Sequence, residues 1–215
     1  VYRNRNRIIQ NNHRAFIKNL DEIPFPRRDL VPFLNYSKNY SEELGTLRKY
    51  LLLFRVRGIK HSVKNILEAM RVHIHRGTLA YWQRIPQHGL QAKILTSRGC
   101  PFDCYYCAIH NVWRHTYRMR SAENVLEEMI LLHEKYKVRH FGIVDDNFNV
   151  SKKRTIEICK GIIDQGLEVT LNADSGLYLP SIDEETLLLM KKAGFHAVYF
   201  GIESGNEHIL RNVIK

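Results

Sequence analysis

The amino-acid sequence predicts an α/β fold in which parallel strands alternate with helices. Four apolar runs that end in polar residues are separated by amphipathic segments, and this alternation is typical of parallel βα units. The runs are almost continuously apolar, as parallel strands are when both faces of their sheet are covered. The pattern fits either an open doubly wound sheet or part of a βα barrel, and both architectures place chemistry at the C-terminal ends of the strands.

The predicted strands all lie in the second half of the chain. The first leads directly into a group of cysteines, and the other three end in acidic, amide or hydroxyl side chains. In chain order they cover residues 92–98, 140–147, 168–176 and 196–204. Because parallel strands of one sheet point the same way, these polar ends are expected to share one rim.

Helices are predicted in the intervals between these strands. Ser121 has the position of an N-cap before ENVLEEMILLHEKY, in which Val125, Met129 and Leu132 fall on one face. Another helix is predicted to open at a capping box formed by residues 181–184, SIDE. The two helices begin at recognisable caps, so their starting points are part of the prediction.

Between these two helices, the sequence predicts a further helix over residues 152–166. Its apolar face is expected to contain Ile156, Cys159 and Ile163, which are spaced as neighbours on one side of a helix. A free cysteine on an apolar helix face is usually buried as a small hydrophobic residue. Cys159 is therefore predicted to be a buried thiol and not a metal ligand.

The first half of the chain differs in composition from the second. Residues 1–99 contain 19 Lys and Arg against 6 Asp and Glu, whereas the remainder contains 14 against 16. Three of the six prolines lie in residues 20–40, which are predicted to form a proline-rich linker. Residues 41–91 are predicted to form a basic helical linker or insertion. This basic half lacks the aromatic-interleaved pattern of a nucleic-acid-binding domain, so a solvated surface is the favoured interpretation.

Three cysteines lie within the segment RGCPFDCYYC, at Cys100, Cys104 and Cys107, with the spacing C-x3-C-x2-C. Thiols clustered this tightly bind metal or perform redox chemistry more often than they form structural disulfides that cross-link a core. Iron–sulfur clusters are held by cysteine thiolates, and a four-iron cluster with three protein ligands keeps one iron open. An open coordination position is a feature of catalytic metal sites.

Several segments of the chain, in this order, resemble one family. The cysteine motif, with Tyr106 directly before its third cysteine, resembles the radical S-adenosylmethionine (SAM) superfamily. LDEIPFPRRDLVP, ILTSRGCPFDCYYCAIHNVW, YRMRSAENVLEEM, VDDNFNV and YFGIESGNEHIL are similar to the branch that carries an upstream cobalamin-binding domain. That branch includes anaerobic magnesium-protoporphyrin ester cyclase-like enzymes and cobalamin-dependent methylases. The resemblance implies a partial parallel βα barrel of the radical SAM type, with four βα units and a basic helical N-terminal segment.

The resemblance also implies a site. The three cysteines would hold a [4Fe–4S] cluster whose open iron chelates SAM, and reductive cleavage of SAM would give a 5′-deoxyadenosyl radical. The implied cofactor-binding residues are Tyr106 near the adenine, Asp145, Asp146 and Asn147 near the methionyl amine, and Asn172, Asp174 and Glu203 around the ribose. The family commonly has Gly-Gly-Glu where this chain has Asp145–Asn147, but a carboxylate still supplies the acceptor that an ammonium group needs.

The resemblance further implies how the chain is organised. Residues 1–19 would be the tail of a preceding cobalamin-binding domain, and residues 92–215 a radical SAM core without its last strands. The expected cofactors are the [4Fe–4S] cluster, SAM and, through a domain outside this chain, cobalamin. A small-molecule substrate and an electron donor such as flavodoxin or ferredoxin are the expected partners, and nucleic acid is not. An oxygen-sensitive cluster implies the reducing cytoplasm, and no apolar run approaches the roughly 18 residues of a membrane span.

Two other functions stay open on the residues alone. His110 extends the motif to C-x3-C-x2-C-x2-H, and a Cys3His set is a structural zinc site. Together with the basic first half it would form a zinc-bearing nucleic-acid-binding module. A closed cluster that serves only electron transfer would take His110 or an outside cysteine as its fourth ligand. The polar ends of four strands have no purpose in either alternative.

Overall fold

The computed structural model of the chain describes residues 2–5, 7–9, 12, 14–33 and 90–212. Except for its last two residues, the predicted basic helical segment at 41–91 lies outside the described residues. The predicted linker at 20–40 is described as far as Phe33. In the part of the chain that is described, no helix is long and apolar enough to cross a membrane.

The described residues contain a parallel sheet, two small antiparallel pairs of strands and a series of helices. In chain order the elements are β1 (Tyr2–Asn4), β2 (Arg7–Ile9), β3 (Leu90–Ile94), β4 (Ser97–Gly99), α1 (Ile109–Trp113), β5 (Tyr117–Met119), α2 (Ala122–Tyr136), β6 (Val138–Ile143), α3 (Lys152–Asp164), β7 (Thr170–Leu177), α4 (Glu184–Lys192), β8 (Phe195–Phe200) and α5 (Glu207–Asn212). Short 3-10 turns cover Leu20–Glu22, Arg28–Leu30 and Leu179–Ser181.

The main sheet has the strand order β3-β6-β7-β8, and each neighbouring pair is parallel. Helices α2, α3 and α4 connect its consecutive strands. The predicted alternation of four strands with three helices is therefore confirmed. Strands β1 and β2 form a separate antiparallel hairpin, and β4 pairs antiparallel with β5.

The first predicted strand, residues 92–98, is divided in the structure. The parallel strand β3 ends at Ile94, and residues 97–99 form β4 in the separate pair with β5. The division occurs at Thr96, whose backbone N–H donates to the Asp145 side chain at 2.5 Å. This contact turns the chain out of the sheet, and it depends on a residue 49 positions away. No local pattern in the sequence signals it.

Helix α2 has the predicted start and the predicted apolar face. The Ser121 hydroxyl accepts a hydrogen bond from the Asn124 backbone N–H at 3.1 Å, as an N-cap residue does. Val125, Met129 and Leu132 are all buried. Their spacing of three and four residues places them on the stripe that faces the sheet.

The apolar face predicted for helix α3 is wrong, because the face that is buried in the structure is rotated about the helix axis relative to the predicted one. Cys159 is buried as predicted, but Ile163 is 41% exposed, and the buried positions include Thr155, Ile158 and Ile162. These positions have the helical i, i+3, i+7 spacing. The pattern was hard to recognise because the buried face begins with the polar Thr155, whose hydroxyl donates to a backbone carbonyl within the helix.

The predicted capping box at the start of helix α4 is also wrong. Asp183 is the N-cap, and its carboxylate accepts from the backbone N–H and the hydroxyl of Thr186 at 2.9 and 2.6 Å. Ser181 instead ends a 3-10 turn, where it exchanges hydrogen bonds with Asn149. Asn149 lies in the loop before α3, so the contact that engages Ser181 is tertiary and has no local signal.

The hydrophobic core lies between the parallel sheet and helices α2, α3 and α4, and only one face of the sheet contributes to it. The buried apolar residues of that face are Ala92, Ile94, Phe141, Ile143, Leu171, Ala173 and Phe195. The opposite face is polar. On it Lys93 pairs with Asp174, and the His140 ring hydrogen-bonds to Thr170. Because the helices lie on the outside of a βα barrel, the polar face is the inner face of this partial barrel.

Residues 14–28, here called the strap, run along the outside of the β4–β5 pair and the start of α2. Arg118 donates to the Ile17 carbonyl at 2.9 Å, and the Ser121 N–H donates to Asp21 at 2.9 Å. Farther along, Arg28 forms an ion pair with the buried Glu128 at 2.8 Å. The first part of the predicted linker is thus attached to the core by specific polar contacts.

Candidate functional site

The three predicted ligand cysteines lie in the loop between β4 and α1, at the C-terminal rim of the sheet. The Cys107 N–H donates to the Cys104 carbonyl at 2.9 Å and closes a tight turn. All three thiols are free, with Cys107 the most exposed of them. Gly99, directly before Cys100, has a φ of +87°, and a Cβ there would lie 2.0 Å from the Thr116 carbonyl oxygen. The loop therefore requires glycine at its entrance.

The thiols of the loop lie close enough to influence one another electrostatically. Burial is the main cause that raises the pKa of Cys104, and the negative charges of Cys100, Cys107 and Glu203 raise it further. Burial also raises the pKa of Cys100. Without a cation at the site, these two thiols are held in their protonated form. A metal centre would reverse this by stabilising the thiolates.

Two of the residues predicted after the second strand contact the cysteine loop. Asp146 accepts a hydrogen bond from the Gly99 backbone N–H at 2.9 Å. The buried Asn147 side chain hydrogen-bonds to Cys100 and thereby lowers the pKa of that thiol, although burial outweighs the effect. The Oδ1 atom of Asn147 is buried without a hydrogen-bond partner among the described residues. The structure thus brings Asp146 and Asn147 to the rim.

The structure places Asp145, which was predicted beside them as a cofactor contact, beneath the rim. Its side chain is fully buried and accepts hydrogen bonds from the Thr96 N–H, the Thr96 hydroxyl and the Ser97 hydroxyl, the last at 2.6 Å. The Arg154 guanidinium lies 3.8 Å from it. These donors surround the carboxylate, so Asp145 fixes the turn between β3 and β4 and has no free face toward a ligand.

Tyr106 and Glu203 come together although they are 97 positions apart. Burial, a hydrogen bond with Glu203 and the charge of Glu203 raise the pKa of Tyr106 to about 12. Glu203 has a left-handed backbone with a φ of +59°, in the loop after β8, which ends at Phe200 and not at residue 204 as predicted. Glu203 thus lies beside both Tyr106 and the thiol of Cys104.

Asn172 and Asp174 lie on β7 and face the inside of the partial barrel. The Asn172 amide donates to Asp174 Oδ1, and Lys93 Nζ lies 3.3 Å from Asp174 Oδ2. Sequence analysis missed Lys93 because it stands within an apolar run, where a single lysine gives no motif. Gly142 lies on β6, between Lys93 on β3 and Asp174 on β7. It was missed because a single glycine within a strand gives no motif either.

His110, the fourth ligand of the alternative zinc site, lies apart from the thiols. Its ring stacks on His115 at 3.8 Å, and its Nε2 atom is 3.7 Å from Asp103. A tetrahedral zinc site needs ligand atoms within roughly 4 Å of one another. Among the described residues, the only group of three or more potential ligand atoms within 4.8 Å of one another is Asp103, His110 and His115. The geometry therefore gives no support to a Cys3His zinc site.

Comparison with known proteins gives relatives for the whole described core. An uncharacterized methyltransferase of Pyrococcus horikoshii is 30% identical over 94% of this chain and 33% of its own length. A cytidylyl-2-hydroxyethylphosphonate methyltransferase of Streptomyces wedmorensis is 32% identical over 57% of the chain and 23% of its own length. An anaerobic magnesium-protoporphyrin IX monomethyl ester cyclase of Synechocystis is 30% identical over 59% and 26%. The chain spans a third or less of the length of these relatives.

The fold is also similar to a solved structure. The radical SAM methyltransferase TsrM from Kitasatospora setae, solved with cobalamin and a [4Fe–4S] cluster, matches 57% of this chain and 22% of its own chain, with a TM-score of 0.52 and 22% sequence identity. This likeness confirms the predicted partial parallel βα barrel. The model of the radical SAM superfamily matches residues 94–215. The resemblance recognised in the cysteine motif is thus confirmed, and the chain belongs to the radical SAM superfamily of enzymes.

Proposed function

We propose that Cys100, Cys104 and Cys107 hold a [4Fe–4S] cluster that binds SAM through its open iron. The observation that carries the proposal is the placement of all three thiols in one short loop at the C-terminal rim of the sheet, closed by the Cys107–Cys104 backbone hydrogen bond and attached to Asp146 through Gly99. The donor set fits the cluster, because iron would stabilise the three thiolates. The hydrogen bond from Asn147 to Cys100 is of the kind that orients a metal ligand. When bound, the cluster supplies the electron that cleaves SAM to a 5′-deoxyadenosyl radical.

The residues around the loop would bind the rest of SAM. Asp146 offers a carboxylate to the methionyl ammonium, and the buried, unpartnered Oδ1 of Asn147 is a second acceptor. Tyr106 and Glu203 lie together beside the Cys104 thiol, where they would contact adenine and ribose hydroxyls. Asn172 and Asp174, on the inner face of β7, are further candidates for the ribose contact in the same pocket. Asp145 acts on SAM only indirectly, by fixing the turn that precedes the cysteine loop.

We assign the chain to the cobalamin-dependent branch, acting in methyl transfer or cyclisation on a small-molecule substrate. The names of the methyltransferase and cyclase relatives support this assignment, as does the cobalamin in TsrM. Residues 1–19 would then follow a cobalamin-binding domain, residues 20–40 and 41–91 would connect it to the core, and residues 92–215 would form the core. Cobalamin would be held by the preceding domain.

We infer that the cluster receives its electron from another protein. Flavodoxin or ferredoxin is the expected donor. Thiolate-bound clusters persist where thiols stay reduced, so we place the protein in the cytoplasm. The sequence of residues 1–99 is strongly basic, a composition that would favour association with an acidic electron donor.

Anaerobic reconstitution with iron and sulfide tests the proposal. The dithionite-reduced chain should give the electron paramagnetic resonance signal of a [4Fe–4S]⁺ cluster, and SAM should change the g values by binding the open iron. Uptake of one tightly bound zinc with no iron would instead favour the Cys3His module. A cluster signal that is unaffected by SAM would indicate a closed, electron-transfer cluster.

Two cysteine variants provide the matched comparison. Cys104→Ala should abolish cluster uptake, because it removes one of three ligands. Cys159→Ala should retain it, because Cys159 is buried in helix α3 with a pKa raised to about 12 by burial. Loss of iron in the Cys159 variant, with the helical circular dichroism intact, would show that the ligand assignment is mistaken.

A further inference from the structure

A group of three potential metal ligands lies at the cysteine loop, and the proposed function does not use it. The group consists of Asp103 from the loop itself, His110 from helix α1 and His115 from the turn after that helix. One ligand atom of each residue lies within 4.8 Å of those of the other two. A short segment of the chain thus brings together two imidazoles and a carboxylate, which are ligands of divalent transition metals.

His110 is the most buried member of the group. Its side chain is 12% exposed, and neither ring nitrogen has a hydrogen-bond partner among the described residues. Its Nε2 atom lies 3.7 Å from Asp103 Oδ1, which is too far for a hydrogen bond. Buried polar atoms without a partner are costly, and a bound ion is one of the features that account for them. The environment of His110 therefore lacks a partner that a metal ion would supply.

The distances within the group suit a small divalent cation. Asp103 Oδ1 lies 3.7 Å from Nε2 of His110 and 3.7 Å from Nδ1 of His115. Bonds of about 2.0–2.1 Å at tetrahedral angles place the ligand atoms of zinc roughly 3.4 Å apart. A movement of a few tenths of an ångström would therefore bring the ligands onto one ion. The side chains of Asp103 and His115 are 82% and 59% exposed and have room for this movement.

The two imidazole rings are stacked, with their centroids 3.8 Å apart and an angle of 9° between their planes. A metal ion lies near the plane of each imidazole that binds it, so one ring must turn when an ion enters. His115 is the ring that would turn, because it is exposed whereas His110 is enclosed. Metal binding would thus exchange the ring stack for two metal–nitrogen bonds.

The turn that carries His115 has an unfavourable backbone conformation. Arg114 and His115 are both left-handed, with φ values of +52° and +56°, which is costly for residues other than glycine. Thr116 holds the turn, because its N–H and its hydroxyl both donate to the Trp113 carbonyl, at 3.0 and 2.5 Å. Strain of this kind is concentrated at binding and catalytic sites. The strained turn brings His115 back to the cysteine loop and so supports a binding role for this group.

We propose that Asp103, His110 and His115 form a second metal site, which binds a divalent transition-metal ion such as zinc. Two histidines and a carboxylate are a ligand set that zinc uses, and three protein ligands leave a fourth position for water or a substrate group. The site needs none of the loop thiols, so it goes beyond the proposed function and does not depend on it. Because Asp103 directly precedes Cys104, the ion would also fix the cysteine loop to helix α1.

Metal titration of a chain without the loop thiols tests this site on its own. The full 215-residue chain with Cys100, Cys104 and Cys107 replaced by Ser, here called the triple-serine chain, should bind one Zn²⁺ in calorimetry. His110→Ala and Asp103→Asn in that background should each weaken zinc binding at least about tenfold, because even the loss of an outer contact to a metal ligand has an effect of that size.

Two further variants of the triple-serine chain complete the test. His115→Gln should weaken zinc binding as His110→Ala does, and it removes an exposed ring, so it keeps the test valid if the buried His110 variant does not fold. His208→Gln is the matched control, because His208 is an exposed histidine on helix α5 outside the group. It should leave the affinity unchanged, and an equal loss in this control would overturn the proposal. So would the absence of saturable zinc binding in the triple-serine chain.

The same samples separate this site from the functions considered for the cysteine motif. Zinc that binds the parent chain but not the triple-serine chain belongs to a thiolate site, and Co²⁺ in the parent chain would then show a thiolate charge-transfer band. If the cluster forms and responds to SAM but the triple-serine chain binds no zinc, this inference fails and the proposed function stands. If the triple-serine chain binds zinc through His110 but the parent chain forms no cluster, the proposed function fails and the second metal site stands.

Discussion

Adjacent residues at the end of β6 have opposite roles. Asp145 and Asp146 are identical side chains one position apart in the loop that follows β6. Asp145 is hydrogen-bonded beneath the rim to Thr96 and Ser97, whereas Asp146 accepts from the Gly99 N–H at the entrance of the cysteine loop. The sequence predicted that acidic residues would follow this strand. It could not show which of them would be enclosed, because the donors are about 50 positions away in the chain.

This difference gives a prediction for two single substitutions. Asp145→Asn should destabilise the fold by about 3 kcal/mol, because it removes the charge that faces Arg154 and leaves buried donors poorly paired. Asp146→Asn should cost less than about 1 kcal/mol, because its contact is a single hydrogen bond at the partly exposed rim. Urea unfolding of the chain measures both, and SAM affinity should fall in the Asp146 variant. Equal destabilisation by the two substitutions would contradict the different placements.

Elements with a periodic pattern were the ones that sequence analysis could predict. Helix α2 was predicted in full because its cap and apolar stripe lie within one segment. The β4–β5 pair was missed because each strand has three residues and the two are separated by the cysteine loop and α1. Helix α3 was predicted with the wrong face because Thr155 is polar and buried. The β4–β5 pair and the face of helix α3 were mispredicted for one reason: in each case a tertiary contact outweighs the local sequence pattern.

The N-cap of helix α4 gives a prediction that depends on pH. The hydrogen bond from the Lys152 ammonium, and then those from the hydroxyl and backbone N–H of Thr186, hold the pKa of Asp183 well below its usual range. A lowered carboxyl pKa contributes stability above the unfolded value near 4, and this stability is lost as the pH falls through the folded value. Asp183→Ala should therefore lower the urea midpoint at pH 7, and the difference from the parent chain should shrink below about pH 4.

Asp183→Asn is the control for that substitution. Asparagine is a good N-cap without a charge, so this variant should retain most of the stability and show a weaker dependence on pH. If the alanine variant differed from the parent chain equally at pH 7 and pH 3, the charge of Asp183 would have no part in the cap. The measurement is a urea titration followed by circular dichroism at each pH.

At the scale of the whole molecule, the sheet separates two environments. Helices α2, α3 and α4 cover an apolar face, while the inner face carries the Lys93–Asp174 pair and the His140–Thr170 pair. Closed barrels of the TIM type fill their interior with bulky branched side chains. A polar inner face is the arrangement expected where a polar ligand occupies the interior. The cysteine loop lies at the C-terminal rim of the same sheet, beside that interior.

One buried carboxylate contributes to the attachment of the strap to this barrel, and two adjacent arginines test that contribution. Arg28 is 12% exposed and pairs with Glu128, which is itself 2% exposed, whereas Arg27 pairs with Asp29 on the surface. Arg120 stays paired with Glu128 at 2.5 Å, so removing Arg28 costs one charged hydrogen bond and does not leave the buried carboxylate without a cation. Arg28→Ala should therefore destabilise the fold by about 1–3 kcal/mol and increase amide hydrogen exchange in residues 20–30. Arg27→Ala should change neither quantity measurably, since exposed pairs contribute little. If both variants behaved alike, the strap would be held by its other contacts and not by the Arg28–Glu128 pair.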